Sequence, residues 1–104
     1  MSEIAVFVIA KAQPGKRDEL RRAWAEHIKP HTESNKAQEF CFYCYGTEDE
    51  DTVCMFELFN DPAVVKEDMG SDWFAAYMEK VRPLFAEQPR VVLATPMWAK
   101  GASI

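Results

Sequence analysis

The hydrophobic positions of this chain follow two different periods, and the switch between them predicts where strands give way to helices. Residues 4–12 form a nearly continuous apolar run that is rich in β-branched side chains and is followed by Pro14-Gly15. Such a run predicts a strand that is buried on both faces. Residues 16–33 then carry apolar side chains at the i, i+3, i+4 spacing of an amphipathic helix, in which Pro30 is expected to cause a kink.

Two aromatic-rich runs in the middle of the chain predict an antiparallel hairpin. They cover residues 41–45 and 53–59, and the polar, acidic stretch 46–51 supplies the turn. Alternation places Phe42 and Tyr43 on opposite faces of the hairpin, and both faces are apolar. We therefore expect both faces to be covered. Glu57 breaks the pattern, because it lies between Met55 and Phe59 on a face that should be dry.

The second half of the chain predicts two more helices and a last strand. Asp61 and Pro62 are typical of a helix start, and the helix should span 62–69. Ser71 is expected to cap a third helix, whose apolar stripe ends at Phe85. Residues 90–95 predict a last strand, which because of Pro96 should be an edge strand or a segment that leaves the sheet. The order β-α-β-β-α(α)-β is typical of an α+β, ferredoxin-like split β-α-β fold. This fold has a four-stranded antiparallel sheet with helices on one face, and it should form one domain over residues 1–104.

The face of the sheet without helices is also apolar, which predicts a homodimer. A second copy of the same sheet is the simplest cover under two-fold symmetry. Met97 and Trp98 follow the last strand without a local partner in the sequence, and we expect them to dock on the partner subunit.

Charge and composition argue against several classes of function. A net charge of −5 argues against nucleic-acid binding, which needs a basic face. No apolar run approaches the roughly 20 residues that cross a bilayer, and the first residues lack a basic leader, so a cytoplasmic protein without membrane contact is expected. The odd count of three cysteines predicts buried free thiols rather than disulfides. Cys41 and Cys44 in particular should lie about 10 Å apart on opposite faces of a strand.

Three local motifs in this order resemble the antibiotic biosynthesis monooxygenase family of dimeric α+β barrels. Pro14-Gly15-Lys16 follows the first strand, and the segment 56–61 is similar to the family's aromatic-Glu-x-Trp-x-Asp ending of strand three. Ser71-Asp72-Trp73-Phe74 is similar to its Ser-x-His-Phe helix start. The resemblance covers nearly the full length and implies a small pocket between sheet and helices. It also implies oxygenation of quinols or polycyclic phenols without metal or flavin, haem degradation, or processing of small signalling sugars.

The departures from the family pattern restrict these expectations. Phe59 stands where the family carries tryptophan, and Trp73 stands where it carries histidine. A reaction that needs a base at position 73 is therefore excluded. The first strand also lacks the asparagine of the haem-degrading branch, so haem degradation is not expected.

The candidate catalytic residues are His31, Glu57 and Tyr77. A carboxylate among apolar side chains must be paired or must have a raised pKa, and a raised pKa suits a general base. His31, next to Pro30, could instead take the proton of a bound phenol, and Tyr77 could orient a substrate oxygen. The alternatives are an ion-paired glutamate and an ordinary core histidine.

The expected substrate-binding residues are mostly aromatic, since flat ligands stack on such walls. They are Trp24, His27, Phe42, Trp73 and Phe74, with Tyr43 as a further wall residue. The pair His27 and His31 has a spacing that is compatible with a metal, but two histidines do not make a metal site, so no metal and no cofactor are expected.

The favoured function is a cofactor-independent monooxygenase that uses dioxygen to oxidise a small electron-rich aromatic, such as a quinol or polyphenol. Two alternatives remain open. One is an isomerase or lyase that acts on a small polar metabolite in the same pocket, and the other is a non-catalytic module that binds a small molecule.

Overall fold

The structure, a computed structural model, describes residues 3–101. Its elements are, in chain order, β1 (Ile4–Lys11), α1 (Arg17–His27), α2 (Lys29–Ser34), β2 (Gln38–Tyr45), β3 (Thr52–Phe59), α3 (Pro62–Met69), α4 (Asp72–Val81) and β4 (Arg90–Ala94), with a 3₁₀ turn at Arg82–Leu84. The strands form one antiparallel sheet in the order β2-β3-β1-β4. This is the predicted ferredoxin-like arrangement, in which the hairpin strand β3 lies between β1 and β2.

The segment that was expected to be one kinked helix forms two helices. The break lies at Ile28, two residues before the expected kink, and Pro30 lies in the first turn of α2. Proline has no amide proton and its ring clashes with the carbonyl four residues earlier, so it is tolerated only where a helix begins. As a consequence, α2 no longer continues the stripe of α1.

The two later helices begin at the caps that the sequence predicted. The Asp61 carboxylate accepts a hydrogen bond from the backbone N–H of Ala63 at 3.0 Å, and the Ser71 hydroxyl accepts one from that of Phe74 at 3.3 Å. These bonds satisfy amides that have no partner inside the helix. They fix where α3 and α4 start, and this determines which side chains of the two helices face the sheet.

The core lies between the helices and one face of the sheet. Its buried residues include Leu20 of α1, Val53 of β3 and Val81 of α4. A second buried cluster joins Val6 and Phe59 to Val65 of α3. The helices therefore cover one face, as predicted. Within residues 3–101, no helix has the length and apolarity needed to span a bilayer.

The other sheet face, called here the open face, carries a continuous apolar row across all four strands. The strand register aligns Phe42, Phe56, Phe7 and Val92 side by side. The rings of Phe7 and Phe56 are 5.2 Å apart, and those of Phe42 and Phe56 are 6.1 Å apart. Phe42 is nevertheless 55% exposed, as is the nearby Phe40 at 53%.

Phe42 was expected to line the pocket, and that prediction is wrong. Its neighbour Tyr43 lies on the helix side, and alternation along β2 turns Phe42 to the open face. The prediction that all three cysteines are buried is also wrong. Cys44 is exposed on the open face, while Cys41 and Cys54 are half-buried. Cys44 and Cys54 are direct neighbours across β2 and β3.

The acidic turn between β2 and β3, to which the sequence assigned no role, is held by Arg17. One nitrogen of its guanidinium donates to the carbonyls of Gly46, Asp49 and Thr52 at 3.0, 3.1 and 3.2 Å. The guanidinium carbon lies 4.0 Å from the centre of the Tyr45 ring. This contact fastens the start of α1 to the tip of the hairpin.

The end of the described chain is exposed. β4 pairs only with β1 and is an edge strand, as Pro96 predicted. Beyond it Met97 and Trp98 are 86% and 79% exposed. Their docking on a second subunit stays a prediction.

Candidate active site

A cavity of about 310 Å³ lies between the helix side of the sheet and the four helices. Its walls are mostly apolar side chains from every strand and helix. Of the residues expected at the site, those that line it are Trp24, His31, Glu57, Trp73, Phe74 and Tyr77. The structure thus brings together the three expected catalytic residues and three of the five expected substrate-binding residues, with Tyr43 also in the wall.

His27 is not part of the cavity wall, so its expected place there is wrong. Its Nε2 atom is buried and has no hydrogen-bond partner within residues 3–101, and the Glu26 carboxylate lies 4.0 Å away. Because α1 ends at His27, the next histidine, His31, does not follow on the same helix face. Among the described residues, no group of three histidine, cysteine or acidic side chains is arranged to hold a metal ion.

Glu57 is the acidic group of the sheet that faces the cavity. It lies on β3 between Cys41 of β2 and Val6 of β1. Burial first, and then the negative charge of Asp68, raise the pKa of Glu57 from 4.5 to about 7. Within the described chain no hydrogen bond or basic group counteracts this shift. A carboxylic acid of this kind changes protonation near neutral pH, which is what a general base requires.

Asp68 is a further candidate residue of the site, which the sequence did not identify. It lies near the end of α3 and lines the cavity close to Glu57. Partial burial, followed by the charge of Glu67, raises the pKa of Asp68, while His31 and a hydrogen bond from Asn35 act in the opposite direction. The signal was present in the sequence, since Asp68 follows the buried Val65 by three positions and shares its helix face.

Asn35 fixes the position of the Asp68 carboxylate. Its amide nitrogen donates to Asp68 Oδ2 at 3.0 Å, and its amide oxygen accepts from the backbone N–H of Ala37 at 3.0 Å. Asn35 lies at the end of α2, so this contact joins the α2–β2 connection to α3. The carboxylate is held at the cavity wall by an amide whose own orientation is fixed.

His31 forms a flat part of the cavity wall. Its ring lies against the indole of Trp73 with ring centres 3.8 Å apart and planes 9° apart. Trp73 is therefore a stacking surface at the position where the resembled family has a histidine.

Two neutral hydroxyl groups also line the cavity. Burial raises the pKa of Tyr77 to about 12, and it raises the pKa of Tyr43 as well. Both phenols therefore stay protonated at neutral pH and can donate a hydrogen bond. Tyr43 packs against Trp24 with ring centres 4.7 Å apart. Within residues 3–101, the Tyr43 hydroxyl and the Trp24 indole nitrogen have no hydrogen-bond partner.

Solved structures of low sequence identity share this fold over nearly the whole chain. One is a protein of unknown function from Nitrosomonas europaea, with 22% identity, a TM-score of 0.79, and coverage of 99% of this chain and 97% of the other. Two carry the provisional name antibiotic biosynthesis monooxygenase. The one from Chloroflexus aurantiacus has 20% identity, coverage of 96% of this chain and 98% of the other, and a TM-score of 0.78. The one from Caulobacter crescentus has 18% identity, coverage of 93% of this chain and 92% of the other, and a TM-score of 0.85.

These similarities confirm the fold expected from the resemblance to antibiotic biosynthesis monooxygenases. No protein-family model and no curated protein matches the sequence.

Proposed function

We propose that this chain, whose fold is that of proteins named antibiotic biosynthesis monooxygenases, is a cofactor-independent monooxygenase of small hydroxyarenes. A hydroquinone and dioxygen would give a hydroxyquinone and water. One oxygen atom enters the ring and the other leaves as water, and the substrate supplies all four electrons. The observation that carries the proposal is Glu57, a carboxylate with a pKa of about 7 in the wall of an aromatic-lined cavity, with no ion-pair or hydrogen-bond partner within residues 3–101.

The raised pKa of Glu57 makes the first step, removal of a phenolic proton, less costly. A phenol with a pKa of about 10 differs from Glu57 by about 3 in pKa, which corresponds to about 4 kcal/mol. With an ordinary glutamate of pKa 4.5 the difference would be about 5.5, or about 7 kcal/mol. The resulting phenolate is the electron donor to dioxygen, and the neutral Tyr77 hydroxyl would orient the second oxygen of the ring.

The chemistry of the wall supports this division of roles. Trp73 cannot act as a base, and its stacking partner His31 offers a flat surface for an aromatic ring. Glu57 is therefore our choice as the base, with His31 as a wall residue.

The test is oxygen uptake by the purified, chelator-treated protein with a series of hydroquinones and catechols. We expect uptake that depends on the protein, with Glu57→Gln lowering kcat at least tenfold because the amide cannot accept the proton. The matched control is Glu48→Gln in the exposed β2–β3 turn, which removes the same charge outside the cavity. Equal rates for wild type and Glu57→Gln would contradict the mechanism.

The same assay without oxygen separates the alternatives. Product formation under anaerobic conditions would point to an isomerase or lyase that uses the same base. Ligand binding with no product under either condition would point to a binding module.

A further inference from the structure

The charged side chains of the cavity wall are mainly acidic. Glu57 of β3 and Asp68 of α3 both line it, whereas no lysine or arginine is present among the described residues of the wall. His31 of α2 is the single described wall residue that can become cationic, and it does so only when protonated. At a pH where both carboxylates are ionised, the cavity carries two negative charges at the acidic wall, the name used here for Glu57 and Asp68.

Asp68 is kept at this wall although solvent is nearby. A carboxylate on a surface helix is better hydrated when it turns outward, and partial burial next to another carboxylate is unfavourable. The Asn35 amide, fixed by the Ala37 backbone, holds Asp68 Oδ2 at 3.0 Å and so opposes that movement. An arrangement that keeps an unfavourable charge in place calls for an explanation beyond packing.

We propose that Asp68 is a specificity-determining residue that restricts the cavity to hydroxyarenes without an acidic substituent. This inference rests on the proposed function for the identity of the ligand. A carboxylate, sulfonate or phosphate on the ligand would bring a further negative charge to the acidic wall, with no lysine or arginine of the described wall to receive it. Repulsion between two like unit charges about 8 Å apart in a partly hydrated site lowers the affinity for such a ligand by roughly tenfold or more.

A purely structural role for Asp68 makes a different prediction. If Asp68 only anchored Asn35, an asparagine at position 68 would preserve most of that role, because its amide oxygen can still accept the hydrogen bond. Asp68→Asn therefore removes the charge while keeping the shape and the acceptor. A change in ligand selectivity in this variant would come from the charge.

The experiment measures binding of protocatechuate and of its neutral amide by quenching of tryptophan fluorescence. The two ligands are close in shape and differ in charge. Work at pH 8 keeps Glu57 ionised, and the absence of oxygen prevents turnover. The wild type is expected to bind the amide at least tenfold more tightly than the carboxylate, and Asp68→Asn should reduce this ratio severalfold, mainly by improving binding of the carboxylate.

Two further variants complete the set. Asp68→Glu retains the charge and should retain most of the selectivity. Glu67→Gln removes a charge from the neighbouring exposed position of α3, and the selectivity should change by less than about twofold.

The outcomes separate this inference from the proposed function. Selective binding of the amide without oxygen uptake by any hydroxyarene would remove the monooxygenase proposal and leave the role of Asp68 standing. Equal affinity of the wild type for both ligands, no binding of either ligand, or an unchanged ratio in Asp68→Asn would overturn the inference.

Discussion

The imidazole of His31 and the indole of Trp73 lie parallel, with ring centres 3.8 Å apart and planes 9° apart. The contact joins α2 to α4 and forms a flat part of the cavity wall. Because α2 is a separate short helix, this stack is one of the contacts that position it. We propose that its role is to shape the wall rather than to transfer protons, and this distinction can be tested.

The first prediction concerns the shape of the residue at position 31. His31→Phe keeps a flat ring against Trp73, and we expect kcat/KM within about threefold of the wild type in the oxygen-uptake assay. His31→Ala removes the stacking partner, worth about 1 kcal/mol beyond its buried area, and opens the wall, so KM should rise at least fivefold. A large loss of kcat in His31→Phe with unchanged KM would instead identify His31 as the base.

The second prediction concerns stability and pH, and it requires no substrate. The pKa of Glu57 is about 7 in the folded protein and 4.5 without the influence of the fold, so the folded state binds the proton more strongly. The contribution of Glu57 to the free energy of unfolding is fully present below pH 4.5. It is lost as the pH rises through 7, and the free energy of unfolding falls by up to about 3 kcal/mol as a result.

Urea unfolding at pH 5 and pH 8 measures this loss. The free energy of unfolding of the wild type should fall relative to that of Glu57→Gln between the two values. Parallel behaviour of the two proteins would show that Glu57 has an ordinary pKa.

The third prediction concerns the contact between Arg17 and the β2–β3 turn. Two protons of one guanidinium nitrogen are shared by three carbonyls, and the group also lies over Tyr45. Arg17→Ala should lower the free energy of unfolding by about 2 kcal/mol, since three acceptors lose their charged donor. Chemical denaturation measures the change, and Arg22→Ala on the exposed side of α1 should change stability by less than about 0.5 kcal/mol. Similar effects of the two substitutions would contradict the assigned role.

The fourth prediction concerns the open face. We propose that a second copy of the chain covers the row of Phe42, Phe56, Phe7 and Val92, because a row of apolar side chains across four strands, most of them exposed, is unfavourable in water. Light scattering at micromolar concentration should give the mass of a dimer. Phe42→Lys should shift the mass toward the monomer, whereas Thr47→Lys in the exposed turn should not. A monomeric wild type would refute the proposal.

The fold was predictable because its signals are local. The alternation in residues 41–45, the caps at Asp61 and Ser71, and Pro96 after the last strand each report the immediate backbone, and the structure has all of them. The burial of Glu57 followed from its apolar neighbours in the same strand. The alternation, the caps and the proline do not depend on how distant elements pack, whereas the burial of Glu57 also requires helices on its face of the sheet.

The parts of the site that could not be predicted depend on contacts between distant elements. Asn35 and Asp68 are separated by 33 positions, and their hydrogen bond exists only once α3 lies beside the end of α2. The sequence predicted that Phe42 and Tyr43 lie on opposite faces of the sheet, but it did not show which face the helices would cover. The position of His27 was missed because the sequence located Pro30 and not the residue at which the helix would break.

The cysteines of the wild-type chain allow the accessibility of the two sheet faces to be compared by chemical modification. The thiolate, and not the thiol, attacks an alkylating reagent. Burial together with the charge of Glu57 raises the pKa of Cys41 to about 11, which protects it at neutral pH. Cys44 is exposed on the other side of the same strand, so an alkylating reagent should modify it first. If a second copy covers the open face, dilution should accelerate this modification while Cys41 remains slow, and mass spectrometry of the unaltered protein would follow assembly without a single substitution.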